Sequence, residues 1–426
     1  MKERTLRETV RDDRLRIVTK HLPSTRTALA IVANIGSAYD PPKGEGFFHF
    51  FEHMAFQGTI HRNAVVLQEL LDRYCLDSGA ETAKTRTVYH GESVYTCFPM
   101  LCDLFFEMFC NPTFPEDKIE KEKNVVLNEA AMALDDDNYV AWQTTLELLW
   151  QQNPIRRFDI GTPEGLSMIN RESLRAAHQK WYTPYNSVVL AAGRIDHDKL
   201  VEIIEKNMPQ IPPGFNPPFP RPYNDECDWQ LSERQKIIRR PEREKAVIAF
   251  GCKVPRLITT TEQEELERDV LIEMLGQGFS SMLFQEVRDK RGLAYSIGSD
   301  SLDISALGSL FYFCAETFPP QVSEVQELML DVICEFPLHQ DHFRNVVGKM
   351  RDKYLVRLER PEQWISLMEE MFVDGDHSSS YLNNFIERRR ALLQELRFED
   401  IWTLRARYLR PERLVCTIVT NNLSVL

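Results

Sequence analysis

The sequence predicts an α+β fold in two homologous halves, and three observations carry that prediction. A proline-rich stretch, MPQIPPGFNPPFPRPYNDE (208–226), divides the chain into parts of similar length, and neither a helix nor a central strand runs through so many prolines. Segments of the first part recur in the second. Within each part, strand-like runs and long helix-like runs follow a hairpin order rather than a regular βαβ alternation, which is the pattern of an antiparallel sheet packed with helices. A chain of 426 residues also exceeds what one core usually holds. The expected domains are residues 1–212 and 233–426, joined by an extended, fairly stiff linker at 213–232.

Taken in order, the recurring segments are these. TALAIVANIGSAYD (27–40) resembles KAVIAFGCKVPRL (245–257), each an apolar strand near the start of its half. ESVYTCFPMLCDLFFEMFCNPTF (92–114) parallels GSLFYFCAETFPPQVSEVQELMLDVICEF (308–336): a strand, a break, then an amphipathic helix. WYTPYNSVVLAAG (181–193) parallels RYLRPERLVCTIVT (407–420), with a tyrosine, a nearby proline and a closing strand. One difference separates the copies. Where the first half carries HFFEH (49–53), the second has ERDVL (267–271). That asymmetry is what a catalytic and a supporting domain show.

Composition narrows the classes. With 43% hydrophobic and 27% charged residues, the chain has the make-up of an ordinary soluble globular protein. Its longest apolar runs, such as LCDLFFEMFC, are too short and too interrupted by charge to span a bilayer. The charged start MKERTLRETVRDDRL lacks the apolar core of a secretory signal. Nine cysteines stand singly with no C-x-x-C pair, which points to a reducing compartment: the cytoplasm, or an organelle matrix after removal of a transit peptide. A net charge of −13 without a concentrated Lys/Arg face argues against nucleic acid. It suits attraction of basic peptides, although plain solubility accounts for it more simply.

The segment GFFHFFEHMAFQGT (46–59) is apolar on every side, which for a helix means burial all round. His49, Glu52 and His53 sit in its middle, and ionisable groups in such surroundings need a partner. Helical residues advance about 100° each, so His49 and His53 stand about 40° apart and Glu52 about 60° to the other side of His49. All three point into one sector. Two imidazoles at i and i+4 suit a zinc ion, and a carboxylate beside them can handle a proton from metal-held water. The simple alternative is a hydrogen-bonded histidine pair in a core. A catalytic zinc needs a third protein ligand. IEKEKNVVLNEAAM (119–132) offers Glu122 and Glu129, seven apart and on one helix face, and spacing alone leaves both open.

On these residues the chain resembles the inverted-zincin peptidases of the pitrilysin and insulin-degrading-enzyme family, and within it the two-domain branch of mitochondrial processing peptidase and its bacterial relatives. EHMAFQGT, EKNVVLNE, GTPEGLSMINRESL, WYTPYNSVVLAAG and LGQGFSSMLFQEVRDKRGLAYSI occur in family order and cover nearly the whole chain; the H-x-x-E-H spacing is itself the inverted-zincin signature. The resemblance implies His49, His53 and Glu129 as ligands of one zinc ion per chain, Glu52 as general base, and Glu122 as the carboxylate that steadies the site. It implies that Arg288 and Tyr295, seven apart in RDKRGLAYS, hold substrate carbonyls and help stabilise the oxyanion. It also implies half of a clamshell, closed by a second chain around a peptide or unfolded segment. A homodimer is favoured because this chain carries both the zinc motif and the Arg/Tyr pair; a heterodimer with a related subunit is the alternative. One departure stands out. The family's substrate-binding edge strand usually has Asn-Ala, where SGAETAKTRTVY (78–89) has Thr82 followed by Ala83. Backbone pairing with substrate survives that change, whereas an Asn contact to the scissile carbonyl does not. Two other functions on the same fold are a dedicated peptidase for targeting or natural-product leader peptides working with a partner subunit, and a non-catalytic scaffold subunit. A zinc-storing protein is weaker still, since such sites seldom place a base beside an open position.

Overall fold

A computed structural model describes residues 6–208, 233–255, 261–304, 308–356, 358–374, 382 and 384–421; the linker expected at 213–232 lies outside the described residues. The fold is α+β. Six strands form one sheet: β1 (Leu6–Val10), β2 (Arg16–His21), β3 (Arg26–Ala33), β4 (Asp77–Thr82), β5 (Thr87–Val94) and β6 (Ser187–Gly193). Their order is β1-β2-β6-β3-β5-β4, with β2 parallel to β6 and every other pair antiparallel. Five strands form the other: β7 (Gln235–Arg239), β8 (Ala246–Val254), β9 (Ser296–Ile304), β10 (Gly308–Thr317) and β11 (Val415–Thr420). Here the order is β7-β11-β8-β10-β9, and one pair, β7 with β11, is parallel. Without β1, the two sheets share one topology. The segments 27–40 and 245–257 supply the equivalent strands β3 and β8, and 181–193 and 407–420 supply β6 and β11.

The central strands are apolar without alternation because both sheet faces are covered. β6, β8 and β11 are buried along their whole lengths, and β3 after its first residue. The edge strand β4, Asp-Ser-Gly-Ala-Glu-Thr, is polar and partly exposed. Five helices run through the first third of the chain: α1 (Phe47–Ala55), α2 (Ala64–Tyr74), α3 (Phe98–Cys110), α4 (Glu116–Asp135) and α5 (Asp137–Leu149). α3 lies close on β5 because Gly91 leaves room; a Cβ there would stand 2.7 Å from both Leu101 Cδ1 and Phe105 Cε2. Phe50, Phe51, Phe105, Phe106 and Phe109 form the centre of the core between sheet and helices.

Two compact units result, each assembled from three segments. One comprises Met1–Ala130, Arg157–Arg221 and Val356–Phe385, the other Ala131–Arg156, Pro222–Leu355 and Ile386–Leu426. α5, early in the chain, therefore packs on β8 and β11. Its Thr145 hydroxyl meets that of Thr417 at 3.0 Å, and Gly251 makes space where a Cβ would come within 2.4 Å of Thr145 Cγ2. In the reciprocal sense, helix Pro361–Glu369 packs on β3 and β6, with the Trp364 ring 4.4 Å from Lys20 Nζ. Among the described residues no helix is long and apolar enough to cross a membrane.

Candidate metal centre

α1 begins at Gly46, whose φ of +91° suits glycine. Here two loops touch: a Cβ on Gly46 would lie 2.3 Å from Gly161 Cα and 2.7 Å from the Ile160 carbonyl oxygen. The buried Asp40 carboxylate accepts the N–H groups of Gly46 at 2.8 Å and Phe48 at 3.0 Å, satisfying donors that a helix start leaves unpaired. Burial pushes this carboxyl up to about 7, against the opposing pull of those two N–H groups. Seven of the nine residues of α1 are buried, and the two that keep some exposure are His49 and His53.

Both imidazoles are oriented by their outer nitrogens. His49 Nδ1 donates to the Ile160 carbonyl at 2.8 Å, and His53 Nδ1 donates to Glu122 Oε1 at 2.9 Å. A carbonyl only accepts, so the proton of His49 sits on Nδ1 and its Nε2 lone pair is left for a ligand. The Nε2 atoms converge on α4. Glu129 Oε2 is 3.9 Å from His49 Nε2 and 3.3 Å from His53 Nε2. All three donor atoms lie within 4.8 Å of one another. Glu122, about two turns back along α4, reaches the far side of His53, and its second oxygen accepts from Gln57 Nε2 at 3.0 Å. The structure thus separates the two glutamates that spacing left equal: Glu129 faces the inner nitrogens and Glu122 an outer one.

Glu52, on the same sector of α1, is 8% exposed. Its Oε2 accepts from the Thr82 hydroxyl at 2.6 Å. Burial raises its pKa above the ordinary carboxylate range, while Thr82 and the two histidines pull the other way. Burial lowers the pKa of His53, but the hydrogen bond to Glu122 and the charges of Glu129 and Glu52 outweigh it and the net direction is upward. Two imidazole Nε2 atoms and a carboxylate, each imidazole locked by an outer acceptor, form a donor set that fits zinc. With three protein ligands and a carboxylate alongside, the arrangement can hold an activated water and exchange its proton.

The remaining expected residues lie on and just after β4 and in the second unit. Thr82 is the last residue of β4, and Ala83 lies just past the strand. Ala83 N–H donates to Arg86 O and its carbonyl accepts from Ser37 N–H, so both its backbone groups are already paired within the chain. In the second unit, Arg288 is exposed at the end of a helical turn, Phe284–Asp289, and Tyr295 is 70% exposed just before β9. The Arg288 guanidinium carbon lies 6.0 Å from the Tyr295 ring centre and 5.0 Å from that of Phe284. Asp40, Gln57, the Ile160 carbonyl and the Gly46–Gly161 contact had no forecast from sequence. Of these only Asp40, a capping-type residue shortly before an apolar run, left a local signal.

Comparisons with known proteins agree on one family. Residues 16–160 match the pattern described as insulinase (peptidase family M16), and residues 168–344 match the peptidase M16 inactive domain. A protein of Streptomyces coelicolor described as an uncharacterized zinc protease is 32% identical over 363 residues, covering 83% of this chain and 78% of its own. One of Bacillus subtilis, similarly described, is 27% identical over 348 residues, covering 81% and 82%. Among solved structures, a protease from Helicobacter pylori superposes with a TM-score of 0.87 at 20% identity, covering 97% of this chain and 99% of that one. An M16 inactive-domain protein from Pseudomonas fluorescens gives 0.86 at 17% identity, covering 98% of each. At such identities the superpositions establish the fold.

Proposed function

The chain belongs to the insulinase family of peptidases, family M16, and from that premise we propose that it is a zinc-dependent endopeptidase of the family's two-domain branch, acting on peptides or unfolded segments. The observation that carries the reading is the convergence of His49 Nε2, His53 Nε2 and Glu129 Oε2, with both Nδ1 atoms pinned from behind. His49, His53 and Glu129 would hold one zinc ion per chain, which when bound supplies a Lewis acid that brings the pKa of a water toward 7. Glu52 is the general base of H-x-x-E-H. Thr82 occupies its Oε2, leaving Oε1 to take the proton from the attacking water and pass it to the leaving amine. Glu122 and Gln57 keep His53 in register.

The division of labour places the metal residues in 1–212 and assigns substrate carbonyls and the developing oxyanion to Arg288 and Tyr295 in 233–426. A homodimer enclosing a chamber, in a reducing compartment such as the cytoplasm, completes the proposal. The complete donor set speaks against a non-catalytic scaffold, because such a subunit has no use for pinned imidazoles and an adjacent base. A dedicated leader-peptide or targeting-peptide peptidase shares the chemistry and differs only in substrate.

The test is cleavage of a mixed set of unstructured peptides, followed by mass spectrometry, with zinc-loaded wild type, Glu52→Gln and chelator-treated protein. Cleavage by wild type that disappears in both controls supports the proposal. Absence of cleavage by folded, zinc-loaded wild type, alone and with a co-purified partner, overturns it.

A further inference from the structure

We infer that Thr82 is a positioning residue for Glu52: its hydroxyl fixes which carboxylate oxygen faces the reacting water. The inference rests on the assignment of Glu52 as general base. It differs from the edge-strand role that the sequence resemblance implies for this position, which concerns the substrate.

The geometry is selective. Thr82 ends β4, and side chains along a strand alternate between faces. Ala80 lies against the core on the helix side, and Thr82, two residues on, shares that side with α1. Glu81, between them, lines a cavity of about 440 Å³ with His90 and Glu92 on the other face. The Thr82 hydroxyl has one proton and two acceptors nearby, Glu52 Oε2 at 2.6 Å and the Phe48 carbonyl at 3.5 Å. The nearer is in the range of a charge-assisted O–H···O⁻ bond and the farther is too long to compete. A β-branched side chain on a strand has little χ1 freedom, so the donor itself is rigid. Glu52, by contrast, is a longer, unbranched side chain on α1 with more rotamer freedom of its own. Tying Oε2 to the sheet removes that freedom without occupying Oε1. An asparagine at this position is longer and carries a planar amide on an extra torsion, and it does not reproduce the same constraint.

The experiment compares Thr82→Val, which keeps shape and loses the donor, with Thr82→Ala and Thr82→Ser, alongside wild type and Glu52→Gln. The readouts are kcat and KM on one cleaved peptide, zinc affinity by chelator competition, melting temperature, and the Glu52 conformation in a crystal structure of metal-free Thr82→Val. Expected for Val and Ala is a fall in kcat on the order of ten- to a hundred-fold with KM, zinc affinity and melting temperature near wild type, the range of a lost hydrogen bond to a charged group. Ser restores most of kcat, and Glu52 leaves its wild-type position in the Val structure. A wild-type kcat in Thr82→Val, a change in KM alone, a loss of zinc affinity, or an unmoved Glu52 overturns the inference. If Glu52→Gln retains full activity, the general-base assignment fails instead, a result that the Thr82 variants cannot mimic.

Discussion

Glu122 offers the most quantitative test of how the metal centre is held. Its two oxygens accept from His53 Nδ1 at 2.9 Å and Gln57 Nε2 at 3.0 Å, and the residue is 8% exposed. Glu122→Ala removes both acceptors and leaves two donors facing a small void, each unpaired donor costing about 1–3 kcal/mol. The share that falls on metal binding is that of His53, which loses its fixed ring orientation and the negative charge that makes Nε2 a better ligand. Losing such an outer contact costs about ten- to a hundred-fold in affinity, or about 1.4–2.7 kcal/mol. Glu122→Gln is the informative partner. Its amide oxygen can still accept from His53, and a flip of the Gln57 amide lets the other contact re-form, so only the charge is lost. Competition against a chromophoric zinc chelator near neutral pH should rank the proteins wild type, Gln, Ala in falling affinity. Below the raised pKa of His53 the gap between wild type and Ala narrows, because the same carboxylate that strengthens the ligand also holds a competing proton on it. Wild-type affinity in Glu122→Ala, or a gap that widens in acid, refutes the reasoning.

Three further outcomes follow from the same geometry. Gly46→Ala forces a Cβ to within 2.3 Å of Gly161 Cα at a φ of +91°, so denaturant unfolding should show a loss on the order of 3 kcal/mol together with weaker zinc binding as the Ile160 carbonyl is displaced. Zinc should raise the melting temperature of wild type, by about 2.7 kcal/mol of stability at roughly 100 times its Kd, and Glu129→Ala should abolish that response while keeping the metal-free melting temperature. Burial lowers the pKa of His178, which donates to the Phe109 carbonyl, and of His197, which lies 2.8 Å from the hydroxyls of both Thr9 and Thr19. Their contribution is therefore complete above the unfolded imidazole value of about 6.5 and is lost as pH falls through the lower folded values; metal-free melting temperature should drop in that window and drop less in His197→Gln, and a flat profile would sink the assignment.

Periodicity and residue type carried much of this architecture, because they report which face of an element is buried. The unbroken apolar runs at 27–33, 187–193 and 246–254 became central strands, and HFFEH became a helix buried on all but its histidine side. What periodicity cannot report is the surface against which that face packs. α5 is apolar enough to need a sheet, yet nothing local says that the sheet is the one whose strands all come from the second half, nor that helix Pro361–Glu369 covers the first. The glutamate pair shows the same limit on a smaller scale. Residues seven apart lie on one face but about 10 Å apart along the axis, so one metal cannot take both. Only the crossing point of α1 on α4 decides that Glu129 meets the inner nitrogens and Glu122 the outer one.

The contacts that no pattern disclosed are those between residues distant in sequence. His49 finds the Ile160 carbonyl across 111 positions, and Glu52 finds Thr82 across 30. These contacts share a physical logic with the glycines. Gly46 and Gly161 bring two backbones close enough for a carbonyl to orient an imidazole, and Gly165 lets the next turn sit on Glu45, where a Cβ would come within 2.3 Å of that carbonyl oxygen. IGTPEGL (160–166) and GEGFF (44–48) thus behave as one unit: the first supplies the acceptor and the second the helix start. A glycine whose freedom looks like a loop requirement is here part of the metal site, because a histidine ligand is only as well placed as the group behind it. The same dependence makes Thr82 more than a strand end. An edge-strand hydroxyl that ties one oxygen of Glu52 joins the sheet to the base as the Ile160 carbonyl joins the loop to the ligand, so each working side chain of α1 is held by an element other than α1.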